Sequence, residues 1–478
     1  MYKLILILGS LTFYVSSISA QYVKQDQMIE DINEFEEALF KLHPGLNYHT
    51  SISTLESIFK KIKTDLPDSL ALGDFFNLIE PIIDTIKCGH TNLKYANKMY
   101  KEKEDKKKKT LFPAPLTLFE DRLFLSSRFK NDRIDLPKGT EILRIDDRPA
   151  LEIIKQLSRY HSGADGDNQE PEKYWGVAGF RTNYARLYGL KERHKILVKR
   201  PDKKDLDLYT LYSISYDDLI KKNKENKPEP LELSFTDDNI AVLKLRTFSN
   251  KNLFKKSRKK IKKAFKKIKD RGANKLVIDL RNNGGGAISN VNHMLSYLLK
   301  ENFKIVKEAN LNANLDRKDL NLFKKIFLAA AKKETFEDKI LLKKYNNKKK
   351  KVKNKLRFDG GLVVLINERS YSASTMFSAI IKDKNRGTLL GSNSGGSYYI
   401  SFAGFSKYLK LKNSQIRIRI PLIRMVYNVT PSEQKQNIGI VPDMERKPVY
   451  DDLLDNENDS VKSFALEYLR NSRNILQR

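Results

Sequence analysis

Apolar residues set the first pattern along the chain. In residues 27–97 they recur at intervals of three and four, as in Ile29, Ile32, Phe35 and Leu39 and again in Leu55, Phe59 and Ile62. That spacing gives helices with one buried face. His43-Pro44-Gly45 separates two of them, and Asp68 or Ser69, just after Pro67, is placed to cap the next. From Leu111 the period shortens to that of strands, in LTLF, DRLFLSS and HKILVKR. Between these runs Pro137 and Gly139 turn the chain, and Ile142, Leu143 and Ile145 form a strand. Asp146-Asp147 then makes a tight turn, and a helix starts near Pro149. Beyond the polar stretch 221–230, apolar strands alternate with helices: NIAVLKLRTF, a helix through 251–270, NKLVIDL, a helix from about 288 to 299, GLVVLINE and a helix from Ser372.

This alternation predicts an α/β core with a mostly parallel sheet over residues 236–448, interrupted by a Lys-rich helical insertion at 312–357. Ahead of the core lie an N-terminal helical region (21–100), a charged linker (101–110), a β-rich domain (111–205) and a second linker (206–235). A tail helix follows in 449–478. The strand–turn–helix order within 111–205 resembles a PDZ domain, a module that binds peptides by adding a strand to a sheet edge.

Charge changes the picture only briefly. With 90 basic and 59 acidic residues among 478, the net charge is +31, which invites a nucleic-acid reading. Residues 1–20 argue against it. Lys3 precedes an apolar run from Leu4 to Val15 and small residues ending at Ala20, the layout of a secretory signal peptide cleaved before Gln21. No cysteine follows the small residues, which argues against a lipoprotein anchor. An exported protein is not expected to meet chromosomal DNA. The excess charge is also local: residues 251–270 hold eleven Lys or Arg against one acid, and 343–355 hold eight lysines and no acid. In the first stretch Phe254, Ile261, Phe265 and Ile268 fall at helical spacing, so its lysines read as the solvated outer face of a packed helix, available to an acidic envelope. The single cysteine, Cys88, excludes an intramolecular disulfide or a multi-cysteine metal site.

Candidate chemistry gathers in three motifs. Asp279-Leu280-Arg281-Asn282-Asn283-Gly284-Gly285-Gly286 follows an apolar strand and leads into a helix. Consecutive glycines there allow positive φ and expose N–H groups to a ligand. No phosphate-loop spacing is present, so the loop suits an oxyanion hole better than a nucleotide cradle. Asn367-Glu368-Arg369-Ser370-Tyr371-Ser372-Ala373-Ser374-Thr375 also lies between a strand and a helix, where a serine hydroxyl is exposed near a helix N-terminus. The third motif is Lys87-Cys88-Gly89-His90-Thr91; His43, His49, His161, His194 and His293 are the competing histidines. No two of the six have the spacing of a helical zinc site, so neither metal nor cofactor is expected.

Together the motifs resemble the carboxyl-terminal processing (tail-specific) serine peptidases. Asp279–Gly286 is similar to their D-x-R-x-N-x-G-G signature, Leu362 to Gly391 to their nucleophile segment, and Asn437-Ile438-Gly439-Ile440-Val441-Pro442-Asp443 to their terminal G-[VI]-x-P-D. The resemblance implies a ClpP/crotonase-like α/β core with the nucleophile at Ser372. Many members pair that serine with a lysine some 25 positions on; here the equivalent segment, Gly391–Ser397, has none. It therefore points to the tricorn-like branch, which uses Ser, His and Glu, with His90 and Glu433 in the matching places. That branch has a serine just before its histidine, where this chain has Gly89, so a four-residue relay is not expected.

The reading implied is hydrolysis of a peptide or protein substrate through an acyl-enzyme on Ser372. His90 is the base, Glu433 orients it, and the Ala373 N–H with one from Gly284–Gly286, foremost Gly285, forms the oxyanion hole. Two alternatives stay open. One is a non-catalytic exported peptide-binding protein of the same fold; the other is a basic protein binding polyanions or the envelope.

Overall fold

The computed structural model describes residues 22–94, 107–159, 163–225, 228–249, 254–316, 349–431, 439–455 and 457–472, and between 317 and 348 residues 318, 320, 325, 333–335 and 339–343. Residues 1–20, where a signal peptide is expected, residues 101–106 of the expected charged linker and Glu433 lie outside the described residues.

The core sheet runs in the order Leu231–Phe235, Ala241–Leu245, Lys275–Asp279, Gly361–Ile366, Thr388–Gly391, Met444–Glu445. Its first pair is antiparallel and the rest are parallel. The central strands are apolar at successive positions because both sheet faces are covered. Leu276, Ile278, Leu362, Val364 and Ile366 pack with Ile261, Phe265, Val291 and Phe377 from helices Phe254–Asp270, Ile288–Leu295 and Ala373–Asp383. The alternate residues Val277, Val363 and Leu365 meet Val461, Ala465 and Leu469 of helix Ser460–Asn471 on the opposite face. Each such side chain contributes about 1.5–3 kcal/mol by leaving water, so the positions of the two central strands are strongly fixed.

A second, antiparallel sheet stands beside the core in the order Lys333–Thr335, Lys339–Leu342, Val306–Asn312, Arg417–Tyr427, Ile400–Lys410. Within the 312–357 insertion the described residues include the strands Lys333–Thr335 and Lys339–Leu342 and one short 3-10 turn at Asn354–Leu356; most of the stretch expected to be helical lies outside the described residues. Ile340 and Leu342 alternate inward at period two, a signal the surrounding lysines obscure.

The N-terminal helices Gln25–Leu42, Ile52–Thr64 and Leu72–Ile86 follow the apolar spacing, and the first ends at His43 as expected. The third is not capped by Asp68 or Ser69. Residues Ser69–Ala71 instead pair with Tyr22–Lys24, and the helix begins after Ala71 with no side-chain cap. Asp31, fully buried, clamps this region to the core hairpin by accepting the N–H groups of Asn413 (2.9 Å) and Ser414 (2.7 Å). Asn92–Lys94 adds a further strand against Arg417–Tyr427.

The β-rich insert has its own apolar core. Its sheet runs Leu206–Tyr212, Arg193–Lys199, Glu141–Ile145, Arg122–Leu125, Leu116–Phe119, with the helix Ala150–Ser158 starting after Pro149 as the sequence predicts. The stretch 206–235 is not a linker: Leu206–Tyr212 completes this sheet, Tyr216–Glu225 is helical, and Leu231–Phe235 opens the core sheet. The tail holds two helices, Tyr450–Leu454 and Ser460–Asn471, in place of one. Among the described residues no helix is long and apolar enough to cross a membrane.

Candidate active site

Parallel pairing of Lys275–Asp279 with Gly361–Ile366 delivers the glycine loop and the serine loop to the same end of the sheet. Hydrogen bonds then lock one to the other. Asn282 N–H donates to Asn367 Oδ1 (2.8 Å), Ser370 Oγ–H to the Leu280 carbonyl (2.8 Å), and Tyr371 N–H to the Asn283 carbonyl (3.1 Å). Arg281 braces the loop from behind through bonds of 2.7–3.0 Å to Asp279 and Asp459.

Ser372 stands at the turn into helix Ala373–Asp383 with φ 57° and ψ −114°. A non-glycine residue is held in such a conformation only when its surroundings over-determine it, and such residues cluster at functional sites. Gly285, at φ 96°, makes that approach possible. A Cβ there would lie 2.6 Å from the Tyr371 carbonyl oxygen and 2.8 Å from both the Ala373 nitrogen and Ser372 Cβ.

His90 reaches Ser372 from the N-terminal region. Helix Leu72–Ile86 stops at Lys87, which turns left-handed at φ 53°, and the chain re-enters the second sheet at Asn92. Between them His90 Nε2 lies 3.0 Å from Ser372 Oγ. Its other nitrogen, Nδ1, lies 2.8 Å from the Tyr371 hydroxyl, which is itself 2.7 Å from Asp165 Oδ1. His90 and Tyr371 are each 6% exposed and Asp165 2%, so solvent does not separate them. Burial, reinforced by Arg419, lowers the His90 pKa to about 3, leaving a neutral imidazole near pH 7. Burial raises Asp165 to about 6 against the opposing hydrogen bonds from Tyr371, Gly89 and Ser397, and holds the Tyr371 phenol well above its ordinary value.

These groups open onto a cleft of about 1020 Å³. Its lining includes Gly284, Trp175, Arg186, Arg419 and Tyr427 beside His90 and Ser372. Neutral imidazole, hydroxyl and backbone donors in that arrangement are the parts of nucleophilic acyl transfer. Among the described residues no three His, Cys, Asp or Glu side chains are grouped to hold a metal ion.

Of the site residues expected from sequence, Ser372, His90, Ala373, Gly284 and Gly285 come together here. Glu433 falls outside the described residues. Gly285 differs in detail from its expected part: its N–H donates to Asn283 Oδ1 (3.0 Å), so of the expected donors Gly284 and Ala373 remain. Sequence reasoning missed Tyr371 and Asp165. Tyr371 sits inside the serine motif, where the neighbouring serines carry the recognisable signal. Asp165, flanked by Ala164 and Gly166, has the composition of an exposed turn.

Residues 239–446, which carry both loops, match the model of peptidase family S41. This segment is similar to an S41 peptidase core. The similarity implies a serine protease of the carboxyl-terminal processing kind. His90 and Asp165 lie outside the matched S41 segment. In fold the chain is similar to a CPAF mutant, with a TM-score of 0.67 and 13% identity over 95% of this chain and 99% of that one. It is similar also to mature CPAF, at 0.63 and 14% over 93% and 96%. The photosystem II D1 C-terminal processing protease aligns more loosely, at 0.43 and 13% over 89% and 94%. No curated protein matches the chain in sequence.

Proposed function

We propose that the chain is an exported serine endopeptidase of the tricorn-like branch that cleaves peptide bonds through an acyl-enzyme on Ser372. The observation that carries this reading is the 3.0 Å approach of His90 Nε2 to Ser372 Oγ, made between residues 282 positions apart. Ser372 Oγ attacks the scissile carbonyl as its proton passes to Nε2. The Oγ–C bond forms, the C–N bond breaks, and His90 returns the proton to the leaving amine. Water, deprotonated by the same nitrogen, then releases the acyl group. Backbone N–H groups of Ala373 and the glycine loop hold the oxyanion; loss of one such donor in a comparable enzyme costs about 3–4 kcal/mol.

The insert between the two halves of this catalytic unit is read as a PDZ-like substrate module. An acidic envelope surface fits the basic exterior. Lys269 Nζ reaches the Lys355 carbonyl (2.7 Å), and Arg258, Lys353 and Lys262 all act on His293, so the two lysine-rich stretches share one outer face. The protein released by export should begin at Gln21, which N-terminal sequencing reads directly. A fluorophosphonate probe tests the chemistry. Wild-type protein should label, and Ser372→Ala and His90→Ala should not; labelling that survives Ser372→Ala sinks the assignment. Saturable peptide binding with no labelling would favour the non-catalytic alternative.

A further inference from the structure

Behind His90 the hydrogen bonds run in one direction only. Asp165 Oδ1 accepts two of them, from the Tyr371 hydroxyl (2.7 Å) and from the Gly89 N–H (3.1 Å). An ionised carboxylate has no proton to give, so Tyr371 must donate to it. A phenol has a single hydrogen, so toward His90 Nδ1, 2.8 Å away, the same oxygen can only accept. Nδ1 therefore carries the imidazole proton and Nε2, facing Ser372, is bare. Reversing any bond in the chain would put the proton on the wrong nitrogen.

We infer that Asp165, acting through the Tyr371 hydroxyl, is the positioning residue of this active site, and that it reaches the site from the inserted segment rather than from the S41 core. This rests on the proposed Ser372–His90 reading and adds its missing support. Backbone contacts hold Asp165 in place from both sides. Its N–H donates to the Gly395 carbonyl (3.0 Å), and it pairs with Cys88 in an antiparallel β-bridge that includes the bond from the Gly166 N–H to the Lys87 carbonyl (3.0 Å). The strand-like bridge ties it to the His90 turn, and the Gly395 contact ties it to the segment after the nucleophile helix. Gly89 is the space in which the relay fits: a Cβ at that position would lie 2.6 Å from the Tyr371 oxygen.

Because the insert holds Asp165, the tautomer of His90 depends on the insert being docked. Protonation of Asp165 has a similar effect: a neutral carboxyl can donate to Tyr371, which frees that hydroxyl to donate to Nδ1 and moves the imidazole proton to Nε2. The ionisable groups facing Asp165 are Cys88, Tyr48, Tyr371 and Tyr427, all neutral near pH 6, while Arg419 acts on His90.

The test is the second-order rate of fluorophosphonate labelling of the full chain from pH 5 to 8. Wild-type labelling should fall below about pH 6. Tyr371→Phe, which strands the Nδ1–H, should slow labelling roughly 100-fold or more. Asp165→Asn keeps an acceptor oxygen but no charge; it should slow labelling roughly tenfold or more and abolish the fall near pH 6. A merely structural role would change denaturation midpoints without removing the pH dependence, so midpoints are measured alongside. Failure of wild-type protein to label at any pH overturns the Ser372 reading itself. Wild-type labelling matched by both variants, with the acid limb intact, overturns only the relay. So does an acid limb removed by Glu433→Gln rather than by Asp165→Asn.

Discussion

Replacing Asp165 by asparagine should make the protein more stable and less active at once. The carboxyl is 2% exposed, and burial raises its pKa from the ordinary 3.8 to about 6. A folded state that binds this proton more tightly than the unfolded chain is favoured at low pH, and the advantage is lost as pH rises from about 4 through 6. At about 1.4 kcal/mol for each factor of ten, keeping Asp165 ionised at neutral pH costs the fold about 3 kcal/mol. Asparagine preserves the shape and its oxygen can still accept from Tyr371 and Gly89, so it removes the cost of the charge, while its amide nitrogen cannot accept from the Ser397 N–H and gives back part of the gain. Urea or guanidinium denaturation at pH 7.5 should show the variant more stable by up to about 3 kcal/mol, and the gap should close by pH 4. Equal or lower stability at pH 7.5, or a gap that persists unchanged at pH 4, would refute the reasoning. The loss of activity that accompanies the gain is the usual trade between a strained site and a relaxed one.

Other consequences are as direct. Gly89→Ala should lower the rate of labelling roughly tenfold or more by displacing the Tyr371 hydroxyl while leaving the protein folded, since small misplacements of positioning groups carry large kinetic effects. Arg281→Ala leaves Asp279, 3% exposed, with its bidentate partner gone and releases the helix that starts beside Asp459; denaturant titration should show a loss of about 3 kcal/mol. Cys88, whose thiol burial pushes up to about 12, should resist iodoacetamide at pH 8 in the native protein and react once unfolded.

Much of the site was legible because its chemistry follows strand ends. The apolar runs Leu276–Ile278 and Leu362–Ile366 announced buried strands, and the residues just beyond them, Gly284–Gly286 and Ser372, are where a parallel sheet exposes functional groups. His90 was legible through its motif rather than its surroundings, because a turn between a helix and a short strand has no pattern of its own. Asp165 and Tyr371 were not legible for a physical reason. Their roles come from bonds across 206 and 281 positions, and no local period records such distances. Gly89 shows the same thing from the other side. Read alone it is a missing side chain that argues against a four-membered relay; in the structure that space is filled by the Tyr371 hydroxyl and the relay has four members. The long hairpin of Ile400–Lys410 and Arg417–Tyr427 and the strands at 333–342 escaped because lysine and arginine alternate with their inward-facing apolar residues and blur the period.

The most direct measurement is site-resolved mass spectrometry of the full chain after reaction with a fluorophosphonate at pH 7.5. The expected result is one adduct per chain, on Ser372, abolished in Ser372→Ala and slowed at least roughly 1000-fold in His90→Ala, because a triad loses its function as a unit. An adduct on another serine, or His90→Ala labelling at the wild-type rate, would contradict the claim that these two residues form the nucleophile and its base.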